Sequence, residues 1–243
     1  MPDKQITILS TRPLDELLIH KAQQHKIGIH QLSFIDTEPL KEPQLQQQIA
    51  ESLLKPQTVV FTSMNAAEAV AGYLENISPR WNIYCLGTAT KLIVQQHFPE
   101  SFISGTADNA GKLADRIIVE GVNSVTFYCG DQRRHELPEK LAAKNIQVEE
   151  IVVYKTKATP HKTDIPYNGI LFFSPSAVES FFSINEVAKD VVFFAIGQTT
   201  ADSIRKFSNN KIVQGDMPGK ENLTEKAITY FTTLKPVNEH LEE

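Results

Sequence analysis

The chain has 243 residues, a formal net charge of −5, 41% hydrophobic and 22% charged residues, which suits a folded globular protein of one large or two ordinary domains. The negative balance excludes a nucleic-acid or membrane-surface role carried by a basic face, and no apolar run approaches the roughly 18 residues of a membrane span. Cys85 and Cys129 are the only cysteines, and the N-terminus MPDKQITILS enters a strand without a signal-peptide core, so a cytoplasmic protein with reduced thiols is expected.

Gln5 to Leu9 reads as a strand, followed by Ser10-Thr11-Arg12-Pro13, a cap with proline at a helix start, and a helix to about Gln24. Gly28 breaks the helix and Ile29 to Ile35 forms the next strand. Asp36 to Pro43, with two prolines and mixed charge, reads as a polar crossing segment rather than a core element. Gln44 to Leu54 is helical. The stretch Val59 to Val70, VVFTSMNAAEAV, is a buried strand, a hydroxyl-rich turn and a helix. Asn82 to Leu86 leads into Gly87-Thr88-Ala89-Thr90 and a helix to about Phe98, a short strand lies near Phe102, and Ala107-Asp108-Asn109 caps a helix to Ile118.

The second half runs alike. A strand from Ser124 (VTFYC) meets the turn Gly130-Asp131-Gln132 and a helix through Ala143, and the strand Gln147 to Tyr154 enters a second polar crossing, Lys155 to Tyr167. Gly169 to Phe173 is a strand, Ser174-Pro175-Ser176 opens a helix, and Val191 to Ala195 precedes Gly197, Thr199, Thr200 and a helix to Phe207. A short strand, Lys211 to Val213, a last helix, Glu221 to Leu234, and a frayed tail from Val237 complete the chain.

Two passages are told twice. VVFTSMNAAEAV returns as LFFSPSAVESFF at Leu171 to Phe182, pairing Ser63 with Ser174 at an offset of 111. CLGTAT at Cys85 to Thr90 returns as AIGQTT at Ala195 to Thr200, offset 110. More loosely, ITILSTRPLDELL matches VTFYCGDQRRHEL, and FIDTEP matches YKTKATP. This indicates an internal duplication. About ten strands alternating with helices predict an α/β fold of doubly wound parallel sheets. The units either fold separately or exchange a first βαβ, and periodicity does not choose. In such sheets ligands meet the C-terminal strand edge, where helix N-termini present free N–H groups; the repeated hydroxyls fall there.

No metal site is visible, since His20, His25 and His30 lie five apart, off a common helical face, and neither a GxGxxG nor a GxxxxGK[ST] string occurs. No cofactor is expected.

The ordered set FTSMNAAEAV, LGTAT, CGDQRRHELPEKL, VVYKT, FFSPSAVESF and IGQTTA, spread over essentially the whole chain, resembles uroporphyrinogen-III synthase. The resemblance implies two α/β domains of interleaved topology, residues 1–36 with 160–243 and residues 43–153, joined by a two-stranded connection, 37–42 and 154–159, over a cleft. It implies a monomeric hydro-lyase of haem biosynthesis. That enzyme cyclises hydroxymethylbilane to uroporphyrinogen III with loss of water, inverting ring D through a spiro intermediate. It further implies no organic cofactor, handover of substrate from hydroxymethylbilane synthase, and Tyr154 of VVYKT as the residue assisting loss of the hydroxyl.

The substrate is a polycarboxylate, so the expected contacts are Thr62, Ser63, Asn65, Thr88 and Thr90 from one half and Ser174, Ser176, Thr199 and Thr200 from the other, each of which also suits a plain N-cap. With a chain at −5 attraction must be local, and Arg12 and Arg134 are the candidates, with Lys155 and Lys157 behind them. Gln198 stands where many relatives carry proline, and Ser176 stands where the first copy has Asn65, so the two halves are not expected to bind identical groups. The competing reading is a non-catalytic two-lobed protein that binds a small anion. A sugar-phosphate isomerase would need a base such as His135 or Glu136.

Overall fold

A computed structural model of the chain describes residues 5–216 and 219–233. The tail from Val237 and the end of the last expected helix at Leu234 lie outside the described residues. In chain order the strands are β1 (Ile6–Ser10), β2 (Ile27–Gln31), β3 (Ile35–Pro39), β4 (Thr58–Phe61), β5 (Asn82–Leu86), β6 (Phe102–Ala107), β7 (Ser124–Gly130), β8 (Gln147–Ala158), β9 (Gly169–Phe172), β10 (Val192–Ala195) and β11 (Ile212–Gln214). The helices are α1 (Glu16–Gln24), α2 (Pro43–Leu53), α3 (Met64–Ala71), α4 (Gly87–His97), α5 (Ala110–Val119), α6 (Glu136–Ala142), α7 (Pro175–Phe182), α8 (Gln198–Arg205) and α9 (Lys220–Thr233).

The chain divides into two compact units. One comprises residues up to Asp36 with those from Ala158 onward, the other Thr37–Lys157. The first holds a sheet of order β11-β10-β9-β1-β2 in which every neighbouring pair is parallel. Its strands GILF and VFFA are buried at every position, the pattern of parallel strands covered on both faces. Leu9, Ile170, Phe172 and Phe193 pack on one side with Ala177, Phe181 and Ile204 of α7 and α8. On the other, Ile8, Leu171 and Phe194 meet Leu18 of α1 and Leu223, Ala227 and Phe231 of α9. Each phenylalanine withdrawn from water contributes about 1.5–3 kcal/mol.

The second unit holds a sheet of order β3-β8-β7-β4-β5-β6. From β8 to β6 all neighbours are parallel. Val59, Phe61, Ile83, Tyr128, Ile151 and Val153 face one layer, with Ile49 of α2, Ala66 and Val70 of α3 and Val94 of α4. Val60, Tyr84, Phe127 and Cys129 face the other, with Leu113 and Ile117 of α5 and Leu137 and Leu141 of α6. Read as β6-β5-β4-β7-β8 and β11-β10-β9-β1-β2, the parallel strands of the two units follow one order. The matched passages fall on matched strands, β4 with β9, β5 with β10 and β7 with β1, so the duplication read in the sequence is a duplication of architecture.

Three expectations need correction. The single strand expected from Ile29 to Ile35 is two, because Ser33 Oγ donates to the Ile35 carbonyl at 2.7 Å and Phe34 turns into the core. The crossings, read from the residue pattern as polar segments outside the core, are strands. Ile35–Pro39 alternates as β3, and β8 continues through Lys155 and Lys157 to Ala158. Backbone bonds join Leu40 to Val153 and Thr159 to Phe34 at 2.9 and 3.0 Å; the numbers rise on one segment as they fall on the other, so this edge is antiparallel in an otherwise parallel sheet. Finally, α1 starts at Glu16, not at Pro13. Thr11 is held instead, its N–H and Oγ1 both donating to the Leu171 carbonyl at 3.1 and 2.7 Å, and Leu14 N–H donates to Gln31 Oε1 at 2.6 Å.

Candidate functional site

At the C-terminal edge of the second sheet the chain builds one unusual contact. Ser63 follows β4 and caps α3, its extended backbone leaving Oγ to accept the Ala66 N–H at 3.2 Å. Two strands away in the order β8-β7-β4, Tyr154 shares a hydrogen bond with that same Oγ, Oη to Oγ 3.2 Å. The phenol reaches it by lying across β7 at Gly130. A Cβ built on Gly130 would stand 2.4 Å from Tyr154 Cζ and 2.7 Å from Oη.

The register explains how the ring gets there. Cys129 pairs with Val152 but Gly130 pairs with Tyr154, so β8 carries one extra residue, a bulge, at this point. Strict alternation would put Tyr154 with Val152 on the α5/α6 face. The bulge puts it with Val153 on the α2/α3/α4 face, where it packs against that core. Gly130 follows Cys129 and so presents its bare Cα to that face. Asp131 closes the bulge, its N–H donating to the Tyr154 carbonyl at 3.1 Å and its Oδ1 accepting the Thr156 N–H at 2.9 Å.

Burial pushes the Tyr154 phenol above its ordinary value; the Ser63 hydrogen bond opposes this, and the charges of Cys129 and Asp131 add to it. The phenol is therefore protonated at neutral pH, half-buried, and able to donate.

The other expected residues of this unit divide. Thr62 and Asn65 flank Ser63 and are half-buried, and Thr88 is exposed in the first turn of α4. Thr90, 4% exposed, turns into the core, because as the fourth residue of α4 it lies on the side of the helix that faces the sheet; buried there, it is left out of the substrate set proposed below. Gly87 opens α4 with φ +74°, a conformation that favours glycine. A cavity of about 410 Å³ beside it is lined by Thr88, Thr106, Lys91, Asp108 and Lys112. Lys91 was missed, although its place three residues after Thr88, on the same helical face, was readable. Arg134 is exposed in the loop before α6, and its unanticipated neighbour Arg133 pairs with Glu150. His135 sits at the N-cap of α6. Lys155 and Lys157 lie 3.5 and 3.3 Å from Glu38, and chiefly the Lys157 hydrogen bond holds that carboxyl below its usual range. A larger hollow, about 510 Å³, lies at the opposite sheet edge against Gln57, Asn82 and Thr126. Helix C-termini point there, so it is the poorer place for an anion.

In the first unit Ser174 repeats the Ser63 cap, accepting the Ala177 N–H at 3.2 Å. Arg12 places its guanidinium carbon 5.8 Å from the Phe173 ring centroid, beside Ser174. Ser176 is half-buried in the first turn of α7 and Thr199 is exposed in that of α8. Thr200, 1% exposed, points into the core like Thr90 and is left out for the same reason. Gly197 is extended (φ −172°) where Gly87 is left-handed, so the two glycine turns differ in shape.

Among the described residues no helix is long and apolar enough to cross a membrane, and no group of three His, Cys, Asp or Glu is placed to hold a metal. A uroporphyrinogen-III synthase from Helicobacter pylori 26695 shares this fold, with a TM-score of 0.65 at 16% identity over 93% of this chain and 99% of that one. A mutant uroporphyrinogen III synthase from the extremely thermophilic bacterium Thermus thermophilus does so with a TM-score of 0.61 at 12% identity over 94% and 98%. At such identities the fold alone is shared. The family itself is fixed by the sequence, because the family model described as uroporphyrinogen-III synthase HemD matches residues 17–225. With that match spanning both halves of the duplicated architecture, the chain belongs to the uroporphyrinogen-III synthase family.

Proposed function

We propose that Tyr154 is the general acid of a hydro-lyase reaction in which hydroxymethylbilane loses water and closes to uroporphyrinogen III. One observation carries the assignment: a protonated phenol held across Gly130 at the strand edge, 3.2 Å from Ser63 Oγ. The pyrrole nitrogen lone pair expels the hydroxyl, the Tyr154 proton goes to the departing oxygen, and an azafulvenium cation remains beside the phenolate. Ring closure through the substituted carbon of ring D gives the spiro intermediate; the bond from that carbon to its original bridging methylene then breaks, the methylene cation so formed bonds to the free α-carbon of ring D, and the proton that carbon releases restores the phenol, so one water is the net loss. Acid assistance of this kind contributes typically ~10²–10⁴-fold; fixing the chain ends against unguided closure supplies the rest.

The carboxylates are read as substrate contacts of Thr62, Asn65 and Thr88, with Lys91 and Lys112 supplying local positive charge, and of Arg12, Ser174, Ser176 and Thr199 on the other unit's edge. Arg134 belongs to the same set. Two buried free thiols, Cys85 and Cys129, suit a reducing cytoplasm, and we read the enzyme as a monomer that receives its substrate from hydroxymethylbilane synthase. The non-catalytic anion-binding alternative is not favoured, since the family match spans the chain. The test generates hydroxymethylbilane in situ with a deaminase, adds the protein, oxidises the products and resolves porphyrin isomers I and III. Isomer III from the wild-type chain, with a rate reduced at least ~10²-fold in Tyr154→Phe, supports the acid; an undiminished Tyr154→Phe rate refutes it.

A further inference from the structure

We infer that Ser63 is a positioning residue for Tyr154: its hydroxyl caps α3 with a lone pair and donates its hydrogen to the phenol oxygen, leaving the phenol's own proton turned toward the departing hydroxyl. The inference rests on the reading of Tyr154 as the acid, and reassigns Ser63 from the substrate contact expected of it.

The geometry fixes the roles. Ser63 Oγ already accepts the Ala66 N–H at 3.2 Å, so its remaining interactions are one donated and one further accepted bond. Tyr154 Oη at 3.2 Å is the only other hydroxyl bonded to it among the described residues. If the phenol donated to Ser63, the phenol's proton would be turned inward and only the serine hydrogen would be left to face a substrate, and an alkanol is a far weaker acid than a phenol. If Ser63 donates, every group is used: the amide is capped, the phenol oxygen is held, and a single proton remains to be given. The surroundings allow no drift. Gly130 lies under the ring, the β8 bulge fixes its face, and Asp131 N–H holds the Tyr154 carbonyl at 3.1 Å. The duplicated copy isolates the difference, since Ser174 makes the same cap to Ala177 with no tyrosine on it among the described residues.

The test separates capping from positioning by using substitutions that cap equally well. Asn caps as well as Ser, and Thr nearly so, but only Thr keeps a hydroxyl on Cβ, the Asn amide carrying its N–H donors one atom farther out. Ser63→Asn should melt like the wild type, keep its KM, and lose on the order of 10-fold or more in kcat for isomer III, as a misdirected acid does; Ser63→Thr should recover most of that rate. In a Tyr154→Phe background Ser63→Asn should cost nothing further. Wild-type kcat in Ser63→Asn beside an impaired Tyr154→Phe overturns the inference and leaves the acid standing. Equal losses in both backgrounds, or a raised KM with unchanged kcat, overturn it too, the latter returning Ser63 to substrate binding. An unimpaired Tyr154→Phe removes the acid itself, and the inference with it.

Discussion

Gly130→Ala tests the site from beneath. The new Cβ would lie 2.4 Å from Tyr154 Cζ and 2.7 Å from Cε2 and Oη, where ordinary contact begins near 3.4 Å, so the ring must retreat by about 1 Å. The backbone at Gly130 is not left-handed, so no strain of φ enters; the cost is overpacking, about 1–3 kcal/mol of stability. A displacement of that size from a productive geometry costs up to about 10²-fold in rate. We expect kcat for isomer III to fall by roughly that factor with KM within a few-fold, and unspecific closure to isomer I to take over the product. The assay is the coupled deaminase reaction with chromatographic separation of oxidised products, run beside urea melts that verify folding at the assay temperature. In a Tyr154→Phe background Gly130→Ala should lose little further, because it acts on the rate only through the proton donor that is already gone. A folded Gly130→Ala protein with the wild-type rate would refute the argument that the ring's place over β7 matters.

Three further outcomes follow from the same geometry. Arg12→Ala should raise KM by roughly 10-fold with little change in kcat, the loss of one charge-assisted contact of about 1.5–3 kcal/mol; steady-state kinetics decide, and an unchanged KM removes Arg12 from the substrate set. Ser174→Ala should lower stability by about 1 kcal/mol through loss of the α7 cap, with Ser174→Asn restoring it in urea melts; equal melts for all three would deny the cap its role. Burial pushes the Tyr128 phenol up to about 12, a hydrogen bond from Ser52 only partly offsetting it. A raised folded value means stability is intact below the unfolded value near 10 and is lost as pH climbs toward 12. Urea melts at pH 9 and 11.5 should therefore show an alkaline loss that Tyr128→Phe reduces; an identical slope in the variant would place the titrating group elsewhere.

What the sequence carried and what it withheld divide along a physical line. Strands such as GILF and VFFA, apolar at every position, and caps such as Ser63, Ser174 and Asn109 are local facts, and each lies where local rules put it. The residue pattern by itself did not mark the crossings as strands because Asp36, Glu38, Lys155 and Lys157 look like loop chemistry, yet β3 and the end of β8 are polar strands whose Glu38 is paired with both lysines. Thr90 and Thr200 looked identical to their accessible neighbours, since a hydroxyl's type says nothing about which side of a helix meets the sheet. Tyr154 was legible as a residue but not as a geometry. The bulge that turns it is a mismatch of register between two strands, and no single strand records it.

The duplication makes that bulge the place where two equal halves become unequal. ITILSTRPLDELL matched on VTFYCGDQRRHEL sets Thr11, just past β1, against Gly130, the last residue of β7. In the first unit Thr11 is buried and gives its Oγ1 hydrogen to the Leu171 carbonyl at 2.7 Å, fastening β1 to β9. The neighbouring β2 ends at Gln31 in regular register, with no extra residue to turn a side chain over the strand. In the second unit a glycine leaves that space bare and a bulged strand lays a phenol into it. Both halves keep a capped helix N-terminus fit for a carboxylate, which suits a substrate carrying carboxylates on every ring. Among the described residues only the second unit lays a tyrosine on its repeated serine, which suits the proposed reaction, in which a single hydroxyl leaves. Placing a tyrosine on β2 would not create a second acid while Thr11 occupies the crossing, so a rate gained by such a variant would mean that the bulge and the glycine are dispensable.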